Sequence, residues 1–119
     1  MKVGIDTVDI KRIEELINKE RFLERVFSEY EIAEFKKRNK KAEHIAAAFA
    51  AKEAFSKALG TGVAGFNLNE VSLLHSDNGK PFLQFSGKAL SIVEEKGLLF
   101  DVSITHTDTI ATAIVIGWC

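Results

Sequence analysis

The chain has 119 residues, enough for one buried core and too few for two, so subunit association is a natural way to complete a site. Sixteen Lys and Arg against 17 Asp and Glu leave a formal charge of −1, which gives bulk electrostatics no pull toward a polyanion or an anionic membrane. The single cysteine, Cys119, has no mate and excludes an internal disulfide framework, and no apolar run reaches the roughly 18 residues that span a bilayer. The opening MKVGIDTVDIK lacks the apolar core of a secretory signal, so the expectation is a soluble, unprocessed protein of the reducing cytoplasm.

In chain order, Val3 to Val8 reads as a strand ending at Asp9, an N-cap for a helix from Ile10 to about Asn18 with Ile10, Ile13, Leu16 and Ile17 on its apolar side. Ser28 and Glu31 have capping-box spacing and predict a helix through Phe35 that dissolves into the basic run KKRNKK. From Glu43 to Leu59 there is no Gly or Pro, alanine abounds, and Gly60 sits where a terminating glycine belongs, predicting a central helix about 25 Å long. Leu68 to His75 and Phe82 to Phe85 flank the turn residues Ser76 to Pro81 and read as a hairpin. Ser86 is the expected cap of a helix over Lys88 to Lys96 closed by Gly97, and Phe100 to His106 and Ile110 to Gly117 form a second hairpin around Thr107-Asp108-Thr109. This order predicts an α+β fold, one domain over residues 1–119, with a largely antiparallel sheet packed against the long central helix.

Charged residues interrupt apolar elements in two places. The central segment FAAKEAFSKALGTG carries Lys52, Glu53 and Lys57 among alanines and phenylalanines, and at 100° per residue Phe49, Glu53, Ser56, Lys57 and Gly60 share one stripe. Glu53 and Lys57 have the spacing of an ordinary exposed i,i+4 ion pair, worth about 0.2–0.5 kcal/mol. A helix apolar around most of its girth is largely buried, however, and a buried carboxylate then needs a cation, a metal ion or several donors. Asp6 lies within the first strand, where Asp is disfavoured, so it is near a strand end, turned to water, or held for a purpose. Gly60-Thr61-Gly62 follows its helix rather than preceding one, and no Gly-Lys-Ser/Thr follows, which argues against a Walker-type nucleotide loop.

Four pieces in this order, GIDTVDIKRI, FAAKEAFSKALGTG, NGKP and VSITHT, resemble the holo-(acyl-carrier-protein) synthases, a family of 4′-phosphopantetheinyl transferases, and the likeness spans nearly the whole chain. The resemblance implies Mg²⁺-dependent transfer of the 4′-phosphopantetheine arm of coenzyme A to a serine of apo acyl carrier protein, in fatty acid biosynthesis, with release of adenosine 3′,5′-bisphosphate. It implies that Asp6 and Glu53 hold the Mg²⁺ and that Lys57 neutralises developing charge. The serine proton goes to Asp6 or Glu53 by way of a metal-bound water, with the choice open. Ser56, Gly60, Gly79, Lys80, Pro81, His106 and Thr107 are implied to line the coenzyme A pocket, and the active form is implied to be a homotrimer with sites between subunits. Arg12, Leu16 and Lys19 on one face of the first helix, with Arg21 and Arg25, are the expected docking surface for an acidic carrier. Two departures from the family pattern bear on affinity: Glu14, Glu15, Glu20 and Glu24 dilute that basic surface, and Ala48 stands where many members carry Arg or a bulky residue.

Two rival readings remain. A small nucleic-acid-binding module could use the basic run 36–41, but no aromatic platform accompanies it, and a solvated helix end accounts for the run. A zinc protein built on His44, His75, His106 and Cys119 lacks the paired ligand spacing of zinc sites.

Overall fold

The first and last strands of the chain lie side by side, and this pairing organises everything around the long helix. The computed structural model describes residues 1–39, 41–62 and 64–119, so Lys40 of the basic run lies outside the described residues. Strand β1 (Lys2–Asp9) pairs antiparallel with β5 (Ile110–Trp118), and β5 pairs antiparallel with β4 (Leu99–His106), giving the order β1-β5-β4. A separate hairpin joins β2 (Val71–His75) to β3 (Pro81–Phe85). The expected α+β architecture with antiparallel sheets is present.

Successive strand side chains alternate faces. Gly4, Asp6 and Val8 therefore share one face of β1, opposite Val115, Ala113 and Ala111 of β5, and this face is covered by helix α4 (Ala42–Leu59). The contact is close at Gly4, where an added Cβ would lie 1.9 Å from the carbonyl oxygen of Ala54 and 2.6 Å from the amide nitrogen of Ala58. Alanine thus does two jobs in α4, favouring the helix and letting a strand backbone press against it. The helix ends at Gly60, whose φ of 80° is the left-handed conformation glycine adopts without a Cβ clash. Ile45, Ala46, Ala50, Ala51, Ala54 and Phe55 are all 0% exposed, so α4 is enclosed on several sides. Phe55 packs its ring 5.0–5.5 Å from those of Phe85, Phe100 and Phe66, joining the hairpin and the loop after α4 to the three-stranded sheet.

Several boundaries differ from the sequence reading for identifiable reasons. Helix α1 covers only Ile10–Leu16. The Asn18 side chain donates to the carbonyl of Glu14, taking the acceptor that a continuing helix would use, so Lys19 lies in a turn beyond α1 and not on its face. A five-residue helix, α2 (Phe22–Val26), was not expected; it is too short for a periodic signal and is held by burial of Phe22 against Phe27, ring centroids 6.0 Å apart. Helix α3 (Glu29–Lys37) has the predicted capping box: Glu31 N–H donates to Ser28 Oγ at 3.2 Å and Ser28 N–H donates to Glu31 Oε1 at 3.0 Å. Leu68–Glu70 is a 3₁₀ turn rather than the start of a strand. Asp9 and Ser86 occupy N-cap positions without making side-chain caps. Instead the Ile10 N–H donates to the carbonyl of Thr109, and Glu70 accepts from the Lys88 N–H at the start of α5 (Gly87–Lys96). No helix among the described residues is long and apolar enough to cross a membrane.

Candidate active site

The tight seating of β1 on α4 brings the two sets of unexpected charges together. Lys57, in the last turn of α4, donates to the carbonyl of Ile5 at 2.9 Å and to Asp6 Oδ1 at 3.2 Å. The Asp6 side chain is 18% exposed and that of Lys57 is 57% exposed, so the carboxylate is partly withdrawn from water while the ammonium that pairs with it stays largely solvated. Lys57 thus pairs across to the strand, and no Glu53–Lys57 ion pair of the ordinary i,i+4 kind forms among the described residues. Glu53, one turn earlier on the same stripe, is half-buried. Burial first and the charge of Asp6 second push its carboxyl above the usual carboxylate range, while Lys57 and Arg12 pull it back.

Asp6 and Glu53 are both partly withdrawn from water and the charge of one acts on the other, so their oxygen donors are of the kind a hard divalent cation would accept. Mg²⁺ suits such a pair because it keeps several waters and needs only one or two carboxylates from the protein. Among the described residues no three His, Cys, Asp or Glu side chains converge as a ready-made cage.

The remaining candidates fall in three places. Ser56 is 2% exposed and its hydroxyl donates to the carbonyl of Lys52, so its side chain is turned into the helix packing. Gly60 is exposed at the helix end. Gly79 sits at φ 87° in the β2–β3 turn, Lys80 reaches Asp101 at 3.4 Å, and Pro81 starts β3. His106 is exposed at the end of β4, and Thr107 closes the β4–β5 turn by accepting the N–H groups of Thr109 and Ile110, each at 3.2 Å. Arg12, Lys19, Arg21 and Arg25 are exposed and Leu16 half-buried, with Arg21 only 4.0 Å from Glu24. Ala48 borders a small recess lined by Glu34, Phe35, Arg38, His44 and His75. Burial, then the charge of Arg38, pulls the His44 imidazole below its usual range, with smaller effects from Lys41 and His106 in the same direction.

Sequence reasoning missed the pairing of Lys52 with Glu31. Both side chains are 0% exposed and in contact, burial pushing the amine of Lys52 down and the carboxyl of Glu31 up while each charge opposes the shift of the other. A signal for the burial was available, since Lys52 falls on the helix side shared with Ala48, Phe55 and Ser56. The partner, 21 residues away, was not legible.

Comparison with known proteins agrees over the full length. The model of the 4′-phosphopantetheinyl transferase superfamily matches residues 2–114. A holo-(acyl-carrier-protein) synthase of Treponema denticola is 43% identical over 116 residues, covering 96% of this chain and 94% of the relative. Among solved structures, the synthase of Neisseria meningitidis superposes with a TM-score of 0.91 at 30% identity, covering 99% of this chain and 98% of that one. The Helicobacter pylori synthase in complex with coenzyme A superposes with a TM-score of 0.86 at 32% identity, covering 98% and 99%. With the fold and these likenesses in agreement, the chain belongs to the holo-(acyl-carrier-protein) synthase family of the 4′-phosphopantetheinyl transferase superfamily.

Proposed function

We propose that this chain transfers the 4′-phosphopantetheine arm of coenzyme A to a serine hydroxyl of apo acyl carrier protein in the cytoplasm, serving fatty acid biosynthesis. The observation that carries this reading is the meeting of Asp6, Glu53 and Lys57 where β1 crosses α4. In the reaction a serine Oγ–phosphorus bond forms, the pyrophosphate P–O bond breaks, and adenosine 3′,5′-bisphosphate leaves. Asp6 and Glu53 would hold Mg²⁺, which when bound neutralises charge on the pyrophosphate oxygens. Lys57, 57% exposed beside Asp6, stabilises charge on the departing phosphate. Asp6 or Glu53 accepts the serine proton as the nucleophile attacks. His106 and Thr107 at the end of β4, Gly79, Lys80 and Pro81 where the β2–β3 turn enters β3, and exposed Gly60 at the end of α4 are suited to an extended nucleotide, whereas the burial of Ser56 removes it from the expected pocket lining. Arg38, beside the recess over Ala48, is suited to the phosphate contact which that residue cannot make. Arg12, Leu16, Lys19, Arg21 and Arg25 receive the acidic carrier.

Incubation with coenzyme A, Mg²⁺ and an apo carrier protein is expected to add one phosphopantetheine to the carrier, read by intact-protein mass spectrometry. Absence of transfer with every divalent ion tried would overturn the reading.

The active form is proposed to be a homotrimer joined through the sheet face turned away from α4. That face carries Val3 at 60% exposure and Ile5 at 55%, next to half-buried Ile114 and Ile116 on β5. An apolar strip of this kind on a small chain favours association over solvation. Ile5→Glu is expected to convert the trimer to monomer in light scattering, each 1.4 kcal/mol of lost association weakening it about tenfold, and to lower transfer activity through loss of composite sites. A trimeric Ile5→Glu protein would place the interface elsewhere.

A further inference from the structure

We propose that the buried Lys52–Glu31 pair is the positioning device that sets the rotation of α4 and thereby aims Glu53 and Lys57 at Asp6. The inference rests on the proposed role of those three residues as the reaction centre.

Lys52 spends its whole ammonium on fixed acceptors: Glu31 Oε1, the carbonyl of Leu68 at 3.1 Å and the carbonyl of Val71. The ring of Phe27 lies 5.1 Å below the charge. Glu31 is equally saturated, accepting from the Ser28 N–H at 3.0 Å and from the Leu73 N–H at 3.0 Å besides Lys52. Three hydrogen-bond acceptors, on α3, the 3₁₀ turn and β2, therefore converge on one side chain of α4, and two further bonds fix the Glu31 carboxylate that it meets.

Such a pair is a poor means of gaining stability, because hydrophobic residues of similar volume serve a core as well or better. It is a good means of fixing orientation. Toward β1 the α4 surface is alanine at Ala54 and Ala58, which pack closely but present no knobs to fix rotation or axial position, so orientation falls to Lys52 and to Phe55 among Phe66, Phe85 and Phe100. Lys52 and Glu53 are consecutive, about 100° apart around the helix axis. Holding Lys52 toward β2 and α3 holds Glu53 toward β1. A misplacement of about 1 Å in a reacting constellation can cost about 10²-fold in rate.

The test uses the full-length protein in three forms: parent, Glu53→Gln, and the doubly neutral Lys52→Met/Glu31→Gln, which leaves no unpaired buried charge. Binding of Mn²⁺, probed alone by electron paramagnetic resonance of the free ion, is read beside melting temperature and the separate kcat and KM for coenzyme A. Mn²⁺ shares the oxygen-ligand preference of Mg²⁺. The expected result is that the doubly neutral form stays folded, binds Mn²⁺ about tenfold more weakly and loses kcat by about tenfold or more with KM little changed, within the range that misplaced geometry produces. Parent-like Mn²⁺ binding and kcat in that form overturn the positioning role and leave the pair a structural one. Equal Mn²⁺ binding by parent and Glu53→Gln overturns the metal reading, and the positioning inference falls with it. Should the doubly neutral form fail to fold, Lys52→Arg, which keeps the charge but not the compact ammonium geometry, carries the same comparison, with parent-like binding and kcat again overturning the proposal.

Discussion

Replacing Glu53 by Gln is expected to lower phosphopantetheine transfer by at least about 10²-fold, the loss typical when one fixed electrostatic group is removed from a transition state. The fold should survive, because Glu53 is only half-buried and Gln keeps its size and shape. Stability should in fact move the opposite way to activity. Burial and the charge of Asp6 hold the Glu53 carboxyl above its ordinary range, so in the folded protein without metal the ionised form is penalised. A carboxyl with a raised folded pKa contributes its stability at low pH and loses it as pH rises through that value. Glu53→Gln removes the loss, so in the presence of a chelator its melting temperature at pH 7 should exceed that of the parent, and the difference should vanish below about pH 4, under the ordinary carboxylate range. A variant that melts earlier than the parent at pH 7 while retaining high specific activity would show that Glu53 is a structural charge and not part of the reaction centre.

Gly4→Ala tests the same site from the strand. The added methyl would lie 1.9 Å from the Ala54 carbonyl oxygen and 2.6 Å from the Ala58 nitrogen, and both obstacles are backbone, which cannot swing aside as a side-chain tip would. Either β1 lifts from α4 or the helix bends, at a cost of about 1–3 kcal/mol or more for an overpacked contact. For a domain of this size that corresponds to a fall of about 4–12 °C in melting temperature. Two residues along, Asp6 moves with the strand, so transfer should fall by about 10²-fold for a shift near 1 Å. The ion pair with Lys57 and the bond from Lys57 to the Ile5 carbonyl should weaken together, because both belong to the same stretch of β1. Unchanged melting and activity in Gly4→Ala would mean that the strand and helix do not meet as closely as described.

Much of the architecture was legible before any coordinates because its signals are local. The capping box at Ser28 and Glu31, the long Gly- and Pro-free run closed by Gly60, and the turn clusters at Ser76–Pro81 and Thr107–Thr109 each specify backbone geometry within a few residues. Where local signals compete with distant packing, the reading slipped. Helix α1 stops at Leu16 because Asn18 takes a carbonyl of its own turn, and α2 exists because Phe22 finds Phe27. Asp9 and Ser86 looked like caps, but nearby chain ends are satisfied instead by Thr109 and Glu70, partners that no spacing rule names.

By itself the sequence determined the order and type of most elements, the oddity of Asp6 in a strand and of Glu53 and Lys57 on an alanine helix, and through its four motifs the family. Only the tertiary structure decided that the Asp6 face of β1 is the one turned to α4, that Lys57 reaches across to Asp6 rather than back to Glu53, and that Lys52 is buried against Glu31. The reason is physical: propensity and capping act through bonds a few residues apart, whereas ion-pair choice in a core depends on which backbones can approach, and here that was set by one glycine lying against two alanines.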